Sequence, residues 1–237
     1  MQKITKKRVC SFLNKKWKES RGTVLFFGCV VLPFKSAVAD LNWVPTGSMN
    51  PTIVEGDMVF IDKLAYDLRL PFTLHSLQHR SDPERGDISV LFSPEDDIRL
   101  VKRVIGIPGD EIKMVNNMVF INGKPLEYSP LSAEQSEDME AELRNHSLFA
   151  QEKLGDRAHS VMSVPGIPTD KRSMKATVVP NGQYFVMGDN RDMSKDSRYF
   201  GFAKRELFVG RAKGVVVSFN ILDKFQPRFG RFFSPLN

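Results

Sequence analysis

Two-residue turn signals between short apolar runs are the feature that most constrains the fold of this chain. Asn116-Asn117 and Asn122-Gly123 each separate two runs rich in β-branched or long apolar side chains. Both central residues of a two-residue hairpin turn must accept a positive φ angle, which Asn and Gly tolerate best. The pattern predicts a mainly β fold with an antiparallel β-sheet core. Strands are predicted at residues 57–62, 87–92, 98–105, 111–115, 118–121, 125–128, 183–187 and 213–219.

Residues 129–179 interrupt the strand pattern. Five acidic side chains fall within residues 134–142, and a stretch rich in Pro and Gly follows. This composition predicts a partly helical, solvated lobe that is inserted between two strands of the core. The β-rich domain then comprises residues 40–128 and 180–219.

The distribution of charge argues against a nucleic-acid partner. The formal net charge is +6, but residues 1–21 alone carry eight Lys or Arg side chains and one acid. The other 216 residues hold 26 basic and 27 acidic side chains. The body of the protein therefore has no excess positive charge with which to bind a phosphate backbone.

An apolar segment follows the basic tail. Residues 22–34 contain no charged side chain, and extending the run to residue 39 adds Lys35, which can reach the membrane interface. We expect residues 22–39 to be one transmembrane anchor, with the tail at 1–21 in the cytoplasm and the body outside. Ala37-Val38-Ala39 also resembles the end of a cleavable signal peptide, and either interpretation exports the body.

No metal or other cofactor is expected. The two cysteines, Cys10 and Cys29, both precede the body, and a body without thiols suits an oxidising compartment. The four histidines are scattered and do not have the spacing of a zinc site.

Two segments contain residues that could act together as nucleophile and base. Ser48 lies in the nucleophile segment, residues 45–52, a loop rich in Pro and Gly that could equally be an ordinary turn. In a strand at 98–105, Lys102 is flanked on its own face by Leu100 and Val104. Burial there would lower the pKa of the lysine, and a neutral amine can take a proton from a serine hydroxyl. The alternative is that Lys102 extends into solvent.

A third segment, the polar segment at residues 188–201, combines Asp, Arg and Ser side chains in a way that excludes a core strand. It lacks the twelve-residue spacing and terminal Glu of a calcium loop. Asp196 and Arg198 are expected to form a salt bridge, and Ser194 could orient a lysine amine.

The three segments together resemble the type I signal peptidases, in order and in spacing. The resemblance rests on Gly-Ser-Met at 47–49, on Lys-Arg continuing to Gly-Ile-Pro-Gly-Asp at 102–110, and on Gly-Asp-Asn-Arg-Asp-x-Ser-x-Asp-Ser-Arg at 188–198. It extends over residues 43–128 and 180–217. It implies a serine endopeptidase at the outer face of a bacterial inner membrane, which cuts preproteins after Ala-x-Ala.

The resemblance also implies a role for individual residues. Ser48 would be the nucleophile, and Lys102 would act first as base and then as acid. The implied remainder of the site is an oxyanion hole made by the Ser48 N–H and the Thr46 hydroxyl, supporting residues Ser194, Asp196 and Arg198, and small substrate pockets lined by Val44 and Val101.

The C-terminal tail, residues 220–237, interleaves aromatic and basic side chains. Phe225, Phe229, Phe232 and Phe233 alternate with Lys224, Arg228 and Arg231, a composition that suits lipid headgroups. A tail packed on the core, or a disordered one, is equally compatible with the sequence.

Other functions remain open at this stage. A serine–lysine peptidase with a dedicated substrate such as a conjugative pilin has similar requirements, and a catalytically silent, membrane-tethered peptide-binding protein is an alternative from another class. A Ser-His-Asp hydrolase is disfavoured, because no histidine lies near the three segments in sequence and no Gly-x-Ser-x-Gly occurs.

Overall fold

A computed structural model describes residues 20–23, 25–31, 36–73, 75–131, 138–221 and 223–236. The predicted basic tail lies almost wholly outside these residues, as does part of the predicted anchor. Among the residues that are described, no helix is long and apolar enough to cross a membrane.

Antiparallel strands dominate the described chain, as the turn signals predict. Their bounds are β1 (Ala39–Trp43), β2 (Asp57–Asp62), β3 (Asp67–Arg69), β4 (Ser76–His79), β5 (Ile88–Phe92), β6 (Arg99–Gly106), β7 (Glu111–Val115), β8 (Met118–Ile121), β9 (Lys124–Pro125), β10 (Glu127–Pro130), β11 (Leu148–Leu154), β12 (Arg157–Ser163), β13 (Met174–Val178), β14 (Gln183–Met187), β15 (Ala203–Lys204), β16 (Phe208–Asn220), β17 (Gln226–Pro227) and β18 (Ser234–Pro235). Short helices occupy Ala141–Asn145 and Ser197–Phe200.

The largest sheet has the strand order β1-β2-β16-β5-β6-β14-β15. Its strands curl so that β1 comes back towards β6: Arg99 Nη1 donates to Asp40 Oδ2 at 3.1 Å and to Asn42 Oδ1 at 3.2 Å. Val101 packs against an apolar cluster that includes Val44, just beyond β1. The curl places the beginning of β6 opposite the edge of β1.

The hairpins confirm the turn chemistry. Asn116 and Asn117 have φ angles of 50° and 65°, and Asn122 and Gly123 have φ angles of 52° and 77°. These turns join β7, β8 and β9 into a sheet to which β13 adds at the other edge. Positive φ at both central residues gives the turn the twist of its flanking strands, which is why Asn and Gly occur here.

Strand β1 was not predicted, and it corrects the end of the anchor. The expected anchor extends to Ala39, but Ala39 pairs with Asp62 as the first residue of β1. Alanine at the end of an apolar run gives no strand signal by itself. Pairing with β2 decides its conformation.

The inserted lobe has more β structure than its composition predicts. Strands β10, β11 and β12 form a three-stranded sheet, and the helix at Ala141–Asn145 spans one short turn. Leu154, Met162 and Val164 are buried, so this part of the chain has an apolar interior as well as a charged surface. Glu134 and Glu137, two of the acids behind the prediction, lie outside the described residues.

The C-terminal tail is held on the core by its arginines. Arg231 Nη2 donates to Asp57 Oδ2 at 2.6 Å and to the Thr52 carbonyl at 3.0 Å, while Arg228 Nη1 donates to the Glu55 carbonyl at 2.8 Å. Strands β17 and β18 pair with β16. The tail therefore packs against the loop that follows the nucleophile segment.

Candidate active site

Ser48 lies in the loop between β1 and β2, in a turn that leaves little room for a side chain at position 47. Asn50 N donates to the Gly47 carbonyl at 3.1 Å. A Cβ atom on Gly47 would lie 2.1 Å from Glu55 Oε1 and 2.5 Å from Asn50 Nδ2. Met49 and Asn50 are buried, whereas Ser48 remains partly exposed at the surface of the turn.

Lys102 lies in β6 and its side chain reaches Ser48. The residue is 2% exposed, and its Nζ donates to Ser48 Oγ at 2.6 Å. The prediction of a buried lysine is confirmed. Burial lowers the pKa of Lys102 to about 8, the carboxylates of Asp196 and Asp189 oppose this shift, and Arg198 adds to it. At pH 7, one unit below this pKa, about a tenth of the amine is thus neutral and can accept the serine proton.

The polar segment packs against the turn that contains Ser48. The expected ion pair is formed: Arg198 Nε and Nη2 donate to Asp196 at 2.8 and 2.7 Å, and Asp196 Oδ2 also accepts the Gly188 N–H at 3.0 Å. A Cβ atom on Gly188 would lie 2.3 Å from both Ser194 Oγ and the Ser48 carbonyl oxygen. Glycine at position 188 thus allows the polar segment to approach Ser48.

Ser194 does not make the expected hydrogen bond to Lys102. Its hydroxyl is buried and has no hydrogen-bond partner within the described part of the chain. The Lys102 amine points instead at Ser48 Oγ. Ser194 therefore belongs to the site by position, next to Gly188, rather than by a hydrogen bond to the lysine.

A buried ion pair joins β6 to the polar segment directly behind Lys102. Arg103 donates to Asp189 through Nε at 2.9 Å and Nη2 at 2.8 Å, and Thr52 Oγ1 donates to Asp189 Oδ2 at 2.6 Å. Burial acts to raise the pKa of Asp189, but the guanidinium of Arg103 outweighs it and holds the pKa below its usual range. Removing one partner of such a pair typically costs about 3–5 kcal/mol.

A histidine lies closer to the site than the sequence indicates. His159 Nε2 is 3.9 Å from Asp189 Oδ1 and 3.2 Å from Glu152 Oε1, without the alignment of a hydrogen bond. Burial lowers the pKa of His159, so the neutral form is favoured. Since the Ser48 hydroxyl is in contact with Lys102, the arrangement is that of a serine–lysine pair and not of a Ser-His-Asp triad.

The remaining predicted residues lie around this pair. Val44 is 5% exposed, and Val101 packs against the same apolar cluster. Thr46 is exposed and lies two residues before Ser48. In the described ranges, no group of three His, Cys, Asp or Glu side chains could hold a metal ion.

Sequence reasoning missed three residues that hold the nucleophile segment. Thr52 bonds Asp189, Asn190 bonds the carbonyls of Gly47 and Ser48, and Glu152 pairs with Arg191 beside Asn190. Asn190 falls within the polar segment, so its position gave a signal. Glu152 lies in the lobe, far from the other segments in sequence, and gave none.

The comparisons with known proteins agree on one family. The family model described as "Signal peptidase, peptidase S26" matches residues 17–217. Signal peptidase I of Rickettsia prowazekii (strain Madrid E) is 35% identical over 225 residues, which cover 88% of this chain and 83% of that protein. Signal peptidase I of Pseudomonas fluorescens is 36% identical over 203 residues, which cover 80% of this chain and 68% of that protein.

Among solved structures, a crystal structure of a signal peptidase I from Enterococcus faecalis V583 matches with a TM-score of 0.34 and 30% sequence identity. The match covers 55% of this chain and 97% of that one.

The reactivity of Ser48 should follow the titration of Lys102. Only the neutral amine can accept the hydroxyl proton, so acylation of Ser48 by an activated ester should rise with pH, reach half its maximum near pH 8, and level off above it. The rate of acylation is measured at a series of pH values between about pH 6 and pH 10, from the increase in mass of the peptide that contains Ser48. Lys102→Met should abolish the pH-dependent rise. A midpoint near that of a free lysine would contradict the assignment of Lys102 as base.

Proposed function

The chain belongs to the signal peptidase family, peptidase S26, and on this premise we propose that it removes signal peptides from exported preproteins with Ser48 as nucleophile and Lys102 as general base. The family consists of serine hydrolases, so the chain is a peptidase. One observation carries the assignment of residues: the 2.6 Å contact between Ser48 Oγ and the buried Lys102 amine.

The proposed mechanism divides hydrolysis into two steps. Neutral Lys102 takes the hydroxyl proton as Ser48 Oγ attacks the scissile carbonyl, and the resulting ammonium gives that proton to the departing amine. Lys102, neutral again, then takes a proton from water as the water attacks the acyl-enzyme, and gives that proton to Ser48 Oγ as the acyl–oxygen bond breaks. The Ser48 N–H and the Thr46 hydroxyl would bind the oxyanion in both steps.

The edges of β1 and β6 offer a place for the substrate backbone. In the described chain, β1 pairs only with β2, and β14 pairs with β6 only between Arg103 and Gly106. The edge of β1 that faces away from β2, and the edge of β6 before Arg103 that faces away from β5, are therefore available for an extended peptide that adds as a further strand. Such a peptide would lead towards Ser48, in the loop after β1, and Lys102, within β6.

The apolar floor between these edges supports a preference for small side chains. Val44, Met49, Ile53 and Val59 are buried in one cluster, against which Val101 packs. Because these side chains pack against one another, a substrate side chain resting on the floor would find shallow recesses rather than deep pockets. Alanine fits a shallow apolar recess and a larger side chain does not, which supports cleavage after Ala-x-Ala.

The same geometry disfavours a silent peptide-binding protein. Burying the charged form of a lysine amine costs free energy, and peptide binding alone does not require a buried, neutral lysine. A peptidase with a dedicated substrate such as a conjugative pilin shares the whole geometry, and only the substrate range separates it from the main proposal.

Membrane attachment is also proposed. An anchor that begins at residue 22 and ends before Ala39 would cross the bacterial inner membrane once, with the N-terminus in the cytoplasm and the catalytic domain on the periplasmic side. Exposed rings on the C-terminal tail support contact with lipid, since Phe225, Phe229 and Phe233 are 61%, 73% and 80% exposed. Arg228 and Arg231 are used within the protein, so the rings rather than these arginines would meet the lipid.

Activity on a preprotein should require both members of the pair. We expect the full chain, purified in detergent, to cut a preprotein after its Ala-x-Ala, and Ser48→Ala and Lys102→Met to lower kcat by on the order of 10³-fold or more. Lys113→Met, which replaces an exposed lysine on β7, is the matched control and should keep full activity. Cleavage that survives Lys102→Met would rule out this base. If the wild type cuts none of several preproteins, a peptidase with a dedicated substrate is favoured over a general signal peptidase.

Thr46 should contribute through its hydroxyl alone. Thr46→Val keeps the shape of the side chain and removes the donor, so kcat should fall by about 10²–10³-fold, or about 2.7–4 kcal/mol. Thr46→Ser keeps the hydroxyl and should retain most of the activity. Steady-state kinetics on one Ala-x-Ala peptide measure both variants. Equal kcat for Thr46→Val and the wild type would remove Thr46 from the oxyanion hole.

The full chain should behave as an integral membrane protein. After alkaline extraction of membranes from expressing cells we expect it in the membrane pellet, because the proposed anchor would remain in the bilayer. Protease added to spheroplasts should digest the body. Extraction of the full chain into the soluble fraction would contradict the anchor, and a body protected in spheroplasts would contradict the orientation.

A further inference from the structure

Asn190 holds the peptide that precedes the nucleophile. Its main-chain N–H donates to the Ser48 carbonyl at 3.2 Å, and its Nδ2 donates to the Gly47 carbonyl at 3.1 Å. Asn190 Oδ1 accepts the Met193 N–H at 3.2 Å, which fixes which end of the amide faces the turn. The residue is fully buried. Asn190 therefore sets the orientation of two successive peptide groups.

One of these peptide groups contains an expected oxyanion donor. The Gly47 carbonyl and the Ser48 N–H belong to the same planar trans peptide, so they point in opposite directions. Fixing the carbonyl oxygen with Asn190 Nδ2 fixes the direction of the Ser48 N–H. A donor aimed in advance costs no reorganisation when negative charge develops on the substrate oxygen.

The lobe holds the backbone on both sides of Asn190. Met162, on β12, donates its N–H to the Asp189 carbonyl at 2.9 Å and accepts the Arg191 N–H at 2.8 Å. These two bonds form a parallel bridge between Met162 and Asn190. One lobe residue thereby fixes the backbone that carries the Asn190 side chain.

A buried ion pair completes this connection. Arg191 donates from Nη1 to Glu152 Oε2 at 2.8 Å and from Nη2 to Glu152 Oε1 at 2.7 Å, and both side chains are at most 2% exposed. Tyr128 OH donates to Glu152 Oε2 at 2.5 Å. Burial acts to raise the pKa of Glu152, but Arg191 outweighs it and the pKa lies well below its usual range. Glu152 is consequently ionised across the working pH range.

We propose that Glu152 is a positioning residue for the reaction: through Arg191 and Asn190 it aims the Ser48 N–H at the substrate oxyanion. The inference rests on the proposed function and assigns the lobe a role in it. Glu152 touches neither substrate nor Ser48. Its effect should therefore appear in the transition state and not in the binding of substrate.

The test compares two Glu→Gln substitutions in the same three-stranded sheet. Glu152→Gln removes the buried charge, while Glu127→Gln changes an exposed residue on β10 whose partner, Lys153, is also exposed. We expect Glu152→Gln to lower kcat by about tenfold or more, because a misaimed donor loses part of the 10²–10³-fold that one such donor supplies. KM should change less than about twofold, and Glu127→Gln should match the wild type.

Inhibitor binding separates positioning from mere support of the fold. A peptide aldehyde adds reversibly to Ser48 Oγ and places its oxygen in the oxyanion hole, whereas the cleaved signal peptide does not. Glu152→Gln should weaken the aldehyde by the same factor as kcat/KM and leave the affinity for the cleaved peptide unchanged. Parallel losses in both affinities would show a merely structural role and overturn the proposal.

A double-mutant cycle tests the route through Asn190. If Glu152 acts through Asn190, the double variant Glu152→Gln/Asn190→Ala should be no slower than Asn190→Ala alone. If the double variant is slower than the wild type by the product of the two single losses in kcat, the route through Asn190 is overturned. If Glu152→Gln does not fold by its thermal unfolding curve, Arg191→Lys, which keeps the charge but not the two-pronged bond, takes its place in the cycle.

Failure of the main proposal and failure of the positioning role would give different results. A wild type that cuts no preprotein contradicts the proposed function. A wild type that cuts, with Glu152→Gln folded and as fast as Glu127→Gln, contradicts only the positioning role.

Discussion

The burial of one lysine amine beside a serine hydroxyl is the constraint on which the site depends. An amine in water is protonated at neutral pH and cannot accept a proton from serine. Lys102 is placed in the middle of a strand with almost no exposure, and its pKa falls to about 8. The protein must therefore provide a dry environment for Lys102 while leaving Ser48 accessible from the outside.

The structure meets both needs by surrounding the pair with fixed charges that are themselves neutralised. Arg103 is paired with Asp189, and Arg198 is paired with Asp196. A carboxylate that was left unpaired beside Lys102 would favour its ammonium form and raise its pKa again. The paired arginines limit that effect, and they also tie β6 and the polar segment together.

Rigid support reaches the nucleophile segment from three separate parts of the chain. The polar segment contributes Asn190, the lobe supports Asn190 through Met162, and the C-terminal tail contributes Arg231, which bonds the Thr52 carbonyl. A loop between two strands is ordinarily mobile. Here polar groups of the loop have partners in neighbouring elements, so Ser48 is held in place while it stays partly exposed.

The sequence by itself determined the class of fold and singled out Ser48 and Lys102 as the candidate pair. Turns such as Asn122-Gly123 require a local φ angle that few residues accept, and the short motifs around Ser48 and Lys102 supply the residue types of a nucleophile and a base. Tertiary structure decided what those motifs contact. It made β1 a strand, left Ser194 without a bond to Lys102, and brought Glu152 to the polar segment. Each of these outcomes depends on a partner far away in sequence, and the composition of a segment does not encode which distant group will satisfy its buried polar atoms.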